Sequence, residues 1–268
     1  MAVPMPLHRE GDPSMTNSWN LSGNATTERV GHAIDVVVEE ILITAGIEEP
    51  PVDTIELARR LDLDVAWDRS MPTRARMVRS ARGAASGRTS ILLRPEPRHE
   101  RRQWAVAHEI GESEAHRIFA RLDLCPNDVA EQVREQVANL FANRLLLPSR
   151  WFLTTDSSGD WDLFQLKDRF STASHEVIAR RSLDFGHHSI VTIFDQGKIT
   201  FRGASFASSP PGPTMLERRC QKTVHELGER HHETDEQVSV TGWPICEPGW
   251  HREILRLTAH EDGFDPAG

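Results

Sequence analysis

Residues 97–147 carry two consecutive helical patterns, and this pair constrains the fold more than any other part of the chain. In PRHERRQWAVAHEIGESEAHRIF, Trp104, Ala107, Ile110 and Gly111 recur at helical spacing with a polar face opposite, and Pro97 suits the first turn. After LDLCPND, where Asn127 or Asp128 can cap, VAEQVREQVANLFANRLLL reads as a second helix ended by Pro148. Both helices also bear polar stripes. His108 and Glu112 stand four apart on the first, so their β-carbons lie about 6 Å apart on one face, within reach of a single ion. Glu131, Glu135 and Asn139 repeat that spacing on the second, so all three point roughly the same way.

The first stripe belongs to HEIGESEAH, whose opening HEIGE differs by one letter from the HExxH of zinc-protease helices. A catalytic zinc takes three protein ligands and keeps one open position. Glu135 offers a third ligand from the second helix, and Glu109 sits off the ligand axis, where a general base for a bound water is needed. Glu112 leaves three readings open. Its carboxylate binds the ion, giving one histidine and two carboxylates. Alternatively His116 reaches the ion from a turn further on, a rise of roughly 12 Å from His108, with Glu112 as an outer-shell partner. In the third reading the site holds no catalytic metal and the domain is a binding or sensing scaffold. A carboxylate ligand makes zinc a weaker Lewis acid and shifts preference toward harder ions such as manganese.

The letters HELGE recur at His225 to Glu229, in VHELGERHH. This copy follows the basic polar stretch LERRCQKT and has no acidic partner helix. It reads as a polar exposed helix on which His225, His231 and His232 bind metal only adventitiously. The chain contains no tyrosine, so an oxyanion donor must be a histidine, arginine, serine, threonine or backbone N–H; His116, His175 and His187 are candidates.

A chain of 268 residues, 38% hydrophobic and 26% charged, can bury one large core or two small ones. Its net charge of -9 argues against direct nucleic-acid binding and favours a basic partner. Cys125, Cys220 and Cys246 form no CxxC pair and read as free thiols of a reducing compartment. No signal peptide and no apolar run of about 20 residues is found, which places the chain in the cytoplasm, away from membranes.

Residues 1–26, rich in Pro, Ser, Asn and Gly, read as a flexible tail. A buried helical stripe follows at Val30, Ala33, Ile34, Val37, Ile41 and Leu42. Asp53 or Thr54 caps a short helix ahead of the strand DVAW, and MVRSARGAASGRTSILLRP forms two strands around a turn. LKDRFSTASHEVIARRSL has helix-turn-helix spacing, its second helix beginning near Ser174. Around it Arg150, Lys167, Arg169, Arg180 and Arg181 are outnumbered by Asp156, Asp160, Asp162, Asp168, Glu176 and Asp184. Without a basic surplus, packing against the preceding helices explains this segment better than DNA binding. SIVTIFDQGKITFRGASF reads as a hairpin, and VSVTGWPICEPGWHREILRL as a strand pair or strand and loop, with Trp243 and Trp250 as core anchors.

The order GRTSILLRP, RRQWAVAHEIGE and E(x3)N(x2)A(x2)LLLP, together with PVDTIELARRLDLDV upstream and LFQLKDRFSTASHEVIARRSLDF downstream, resembles the ImmA/IrrE metallopeptidase family over about residues 50 to 186. The resemblance implies an α+β fold. A zincin-like peptidase domain with a small sheet spans 27–186, including a helix-turn-helix-like segment at 160–186, and a small β-rich module spans 187–268. It implies His108 and Glu135 as zinc ligands and Glu109 as general base, with Glu112 standing where the family has histidine. It also implies an endopeptidase that cleaves a partner transcriptional repressor, a basic helix-turn-helix protein, within a regulatory or stress response. The competing reading is a noncatalytic sensing or partner-binding protein that keeps this fold.

Overall fold

Apolar residues at helical spacing build α1 (Asn24–Thr44), which buries Val30, Ile34, Val37, Ile41 and Leu42 against the helices that follow. The computed structural model describes residues 24–79, 89–155, 161–185, 188–206, 209–247 and 250–260. The helix begins at Asn24, three residues inside the expected tail; residues 1–23 lie outside the described residues.

α2 (Thr54–Arg60) starts from Asp53, whose carboxylate accepts from the N–H groups of Ile55 and Glu56. Thr54 is then free for another task. Its N–H donates to Gln103 Oε1 at 2.6 Å and its hydroxyl donates to the Gln103 carbonyl at 2.8 Å, fixing α2 on α3 (His99–Arg121). β1 (Asp64–Trp67), β2 (Ala75–Arg79) and β3 (Thr89–Leu93) form a sheet ordered β1-β3-β2, in which β3 pairs parallel with β1 and antiparallel with β2. The expected turn between β2 and β3 lies outside the described residues. β2 is an edge strand, and α3 packs against it.

Pro97 lies just ahead of Arg98, the N-cap of α3, rather than inside the first turn. Neither Asn127 nor Asp128 caps α4 (Glu131–Leu146). Both sit in a 3₁₀ turn, Pro126–Asp128, and α4 starts from Ala130 without a side-chain cap. The reason is Val129, which is extended and buried in the core, so its burial fixes a linker where local capping propensity favours helix. α3 and α4 run antiparallel and bury Ile110, Phe119, Phe141 and Leu145, each contributing about 1.5–3 kcal/mol by removal from water.

α5 (Ser149–Thr155) follows Pro148, a helix that the apolar spacing does not announce. α6 (Leu163–Arg169) is capped by Asp162 and α7 (His175–Arg181) by Ser174, at the position expected for the second helix of the pair. α7 buries Ile178, Ala179 and Arg181 and is packed between α4 and the C-terminal sheet.

That sheet contains β4 (Ser189–Asp195), β5 (Lys198–Ala204), β6 (His231–Thr234), β7 (Val238–Glu247) and β8 (Trp250–Ala259), all antiparallel in the order β5-β4-β8-β7-β6. Gln196 and Gly197, both with positive φ, close the β4–β5 hairpin expected from DQGK. One face of the sheet, with Val191, Ile193, Trp243 and Ile254, joins the core of the helical part. The other packs on α8 (Met215–Leu227) through Leu216, Cys220 and Val224. The C-terminal sheet thus shares a core with the helices preceding it.

Two readings of this region are corrected. The helix carrying the second HELGE is amphipathic, and it stops at Leu227 because Gly228 adopts a left-handed conformation, φ 66. Glu229 is therefore off the helix face of His225, whose Nδ1 pairs instead with Glu253 Oε1 at 2.7 Å. Trp243 is fully buried, as expected of a core anchor, whereas Trp250 at the start of β8 is 38% exposed and lines a cleft. No helix among the described residues is long and apolar enough to cross a membrane.

Candidate metal centre

The antiparallel contact of α3 and α4 turns two sequence stripes into three rungs. Trp104 Nε1 donates to Asn143 Oδ1 at 2.9 Å; His108 Nδ1 faces Asn139 Oδ1 at 3.0 Å; Glu112 and Glu135 stand together at the open end. Steps of four along each helix keep the rungs in register. The close approach needs Gly111, because a β-carbon there would come within 2.8 Å of Phe141 Cδ1.

His108 Nε2 lies 3.5 Å from Glu112 Oε1 and 3.6 Å from Glu135 Oε2, and one donor atom from each of the three residues falls within 4.8 Å of the other two. Asn139 Oδ1 can only accept, so Nδ1 turns its proton to it and Nε2 is the nitrogen that faces the carboxylates. The imidazole stacks on Trp104, with ring centroids 5.3 Å apart, and is mostly buried, whereas Glu112 and Glu135 are about half exposed. Neither glutamate forms an ion pair with lysine or arginine among the described residues. A neutral imidazole nitrogen and two adjacent carboxylates without a cation fit a divalent ion with oxygen and nitrogen preference.

Glu109, next to His108 on α3, is buried at 6% exposure and accepts the Met77 N–H from β2 at 2.6 Å. Burial, and next the nearby Glu112 charge, push its carboxyl above the usual range, while the Met77 hydrogen bond pulls the other way. One oxygen is anchored by backbone; the carboxylate retains a second. His116, by contrast, is exposed, bonds through Nδ1 to the Ser113 carbonyl of its own helix, and stands outside the cluster. His175 lies at the start of α7, and His187 is outside the described residues. Glu131 is exposed and takes no part in the cluster.

Sequence reasoning grouped Asn139 with Glu135 by spacing but gave it no task, and it missed Trp104, Asn143 and the Met77 N–H. The signal for Trp104 and Asn143 was available, since each lies one helical step beyond a stripe already read. The Met77 contact had none, because a backbone donor carries no sequence mark.

Residues 66–182, from the end of β1 past α7, match the IrrE N-terminal-like domain, a peptidase family. This segment is similar to the IrrE-type domain. It contains α3, α4 and β2, and so every residue of the three rungs together with Glu109. The fold extends beyond it. The chain is similar to a Mycobacterium tuberculosis transcriptional regulator with a TM-score of 0.62 at 19% identity, over 87% of this chain and 78% of that one. Covering 87% of the chain, that likeness reaches well beyond residues 66–182. No curated protein matches the chain.

Proposed function

We propose that this protein is a cytoplasmic metal-dependent endopeptidase whose substrate is a partner transcriptional repressor. The observation that carries the reading is the convergence of His108, Glu112 and Glu135 beside a buried Glu109 held by the edge of β2. The match to a peptidase family over the same residues supports it, and the resemblance to ImmA/IrrE proteins supplies the repressor as substrate class. The similar fold of a protein named as a transcriptional regulator agrees with a regulatory setting.

His108 Nε2, Glu112 and Glu135 would hold the ion, and Asn139 would keep the imidazole in the tautomer that binds it. A zinc or manganese ion held there would supply Lewis acidity toward a carbonyl and acidify water. Glu109 accepts a proton from the attacking water and delivers it to the leaving amine. Its anchored oxygen fixes the carboxylate plane, so the second oxygen handles that proton without searching rotamers.

Glu112 favours a second reading, a noncatalytic sensing or partner-binding protein, because two carboxylates leave a weaker Lewis acid than two imidazoles do. One comparison separates them. The peptidase reading expects about one zinc or manganese ion per chain, and expects Glu109→Gln to keep the ion while losing cleavage of the repressor. Metal well below stoichiometric after growth in either ion, or equal cleavage by the variant, overturns it.

A further inference from the structure

Beside the metal centre a cleft of about 590 Å³ opens between the α3–α4 pair and the ends of β7 and β8. It adjoins the centre directly: Trp104 and Asn139, which stack on and hydrogen-bond His108, also line the cleft. Its apolar floor includes Leu146, Val177 and Ile245, with the exposed side of Trp250. Its charged lining is one-sided. Arg74, Arg98, Arg101, Arg180 and Arg252 line it together with two carboxylates, Glu100 and Glu176.

Those two carboxylates are engaged. Glu100 takes Lys167 at 2.7 Å, and Glu176 lies between Arg252 at 2.9 Å and Arg180 at 3.3 Å. Asp195 holds Arg252 from behind at 2.6 Å, and Arg101 meets Glu96 only at 3.6 Å. Counting Lys167, Asp195 and Glu96 with the lining residues still leaves a surplus of cations. Arg74 and Arg101 are exposed, and Arg74 forms no ion pair with the described residues. In a chain of net charge -9 this cleft is a local reversal of sign.

We propose that the cleft binds acidic side chains on one flank of the peptide cleaved at the metal centre, so that this protein selects a segment with carboxylates a few residues from the scissile bond. This rests on the peptidase reading above. A polyanion such as nucleic acid fits poorly, since the route onward crosses Glu112 and Glu135, whereas a peptide is neutral where it meets the centre and charged only on the flank. The apolar lining suits the side chains between the carboxylates, and a volume of about 590 Å³ accommodates several residues rather than one small ion. The substrate protein can still be basic overall; the cleft restricts only the segment presented for cleavage.

The test uses the full chain as Glu109→Gln, loaded with zinc, and fluorescently labelled peptides of equal length whose one flank is acidic, neutral or basic. We expect the acidic peptide to bind about tenfold more tightly than the neutral one at low salt, with the advantage shrinking toward 1 M salt as the Debye length falls to about 3 Å. Combining Arg74→Glu with Arg101→Glu removes that preference, and bound zinc, measured on the same samples, stays constant. Equal binding of the three peptides overturns the proposal, as does a preference that survives the double charge reversal. Full displacement of the acidic peptide by inorganic phosphate at matched ionic strength also overturns it, since the site then reads a small anion. Absence of zinc with an intact acidic preference sinks the peptidase reading alone.

Discussion

His108 and Asn139 form the middle of three rungs between α3 and α4, with Nδ1 of the histidine 3.0 Å from Oδ1 of the asparagine. The bond decides which imidazole nitrogen is left for an ion, because Oδ1 is only an acceptor and so demands the proton on Nδ1. It also explains why the exposed Glu112 and Glu135 have an ordered partner between them.

Asn139→Ala frees the imidazole to rotate and to change tautomer. Metal affinity, read by competition with a chelator, should fall about 10–100-fold. Asn139→Asp still accepts from Nδ1–H and should restore most of it. An alanine variant with unchanged affinity removes Asn139 from the centre.

Glu112 decides whether the cluster has three protein ligands. Glu112→Ala should lose the ion, and Glu112→His should keep it and shift preference toward zinc over manganese, since imidazole is the softer ligand. Metal analysis of the two purified variants checks this. Retention in Glu112→Ala combined with loss in His116→Ala would transfer the ligand role one turn along, against the placement of His116.

Gly111 sets the spacing of the two helices. A methyl group there has no room beside Phe141, so Gly111→Ala should force α3 and α4 apart by a few tenths of an ångström. Overpacking of this kind costs about 1–3 kcal/mol of stability in denaturant unfolding. Metal affinity should fall further than stability alone accounts for, because His108 and Glu112 move relative to Glu135. A variant with wild-type affinity and stability contradicts the close approach.

His175 gives the protein a pH signature away from the metal centre. Burial, and next the Lys167 charge, hold its pKa down to about 4 from 6.5, against an opposing pull from Glu100. Between pH 6.5 and about 4 the unfolded chain therefore binds more protons at this position than the folded one. Stability from this residue is fully present above pH 6.5 and declines as pH falls toward 4, at no more than about 1.4 kcal/mol per pH unit. His175→Gln should flatten that part of the unfolding profile; an unchanged slope would show that His175 titrates alike in both states.

The sequence by itself determined what lies on one element. Helical spacing put His108 with Glu112 and Glu135 with Asn139, Asp53 and Ser174 marked helix starts, and DQGK marked a hairpin; all are decided by residues a few positions apart. Tertiary structure decided everything that depends on which face meets which. It set Asn139 on His108 and Met77 N–H on Glu109, made a linker of Asn127 and Asp128 by burying Val129, and divided the second HELGE at Gly228. It also drew Trp250 out of the core to the edge of a cationic cleft. Periodicity fixes the direction of a side chain around its own axis, but its partner is chosen by burial summed over residues far apart in the chain, and no local pattern carries that sum.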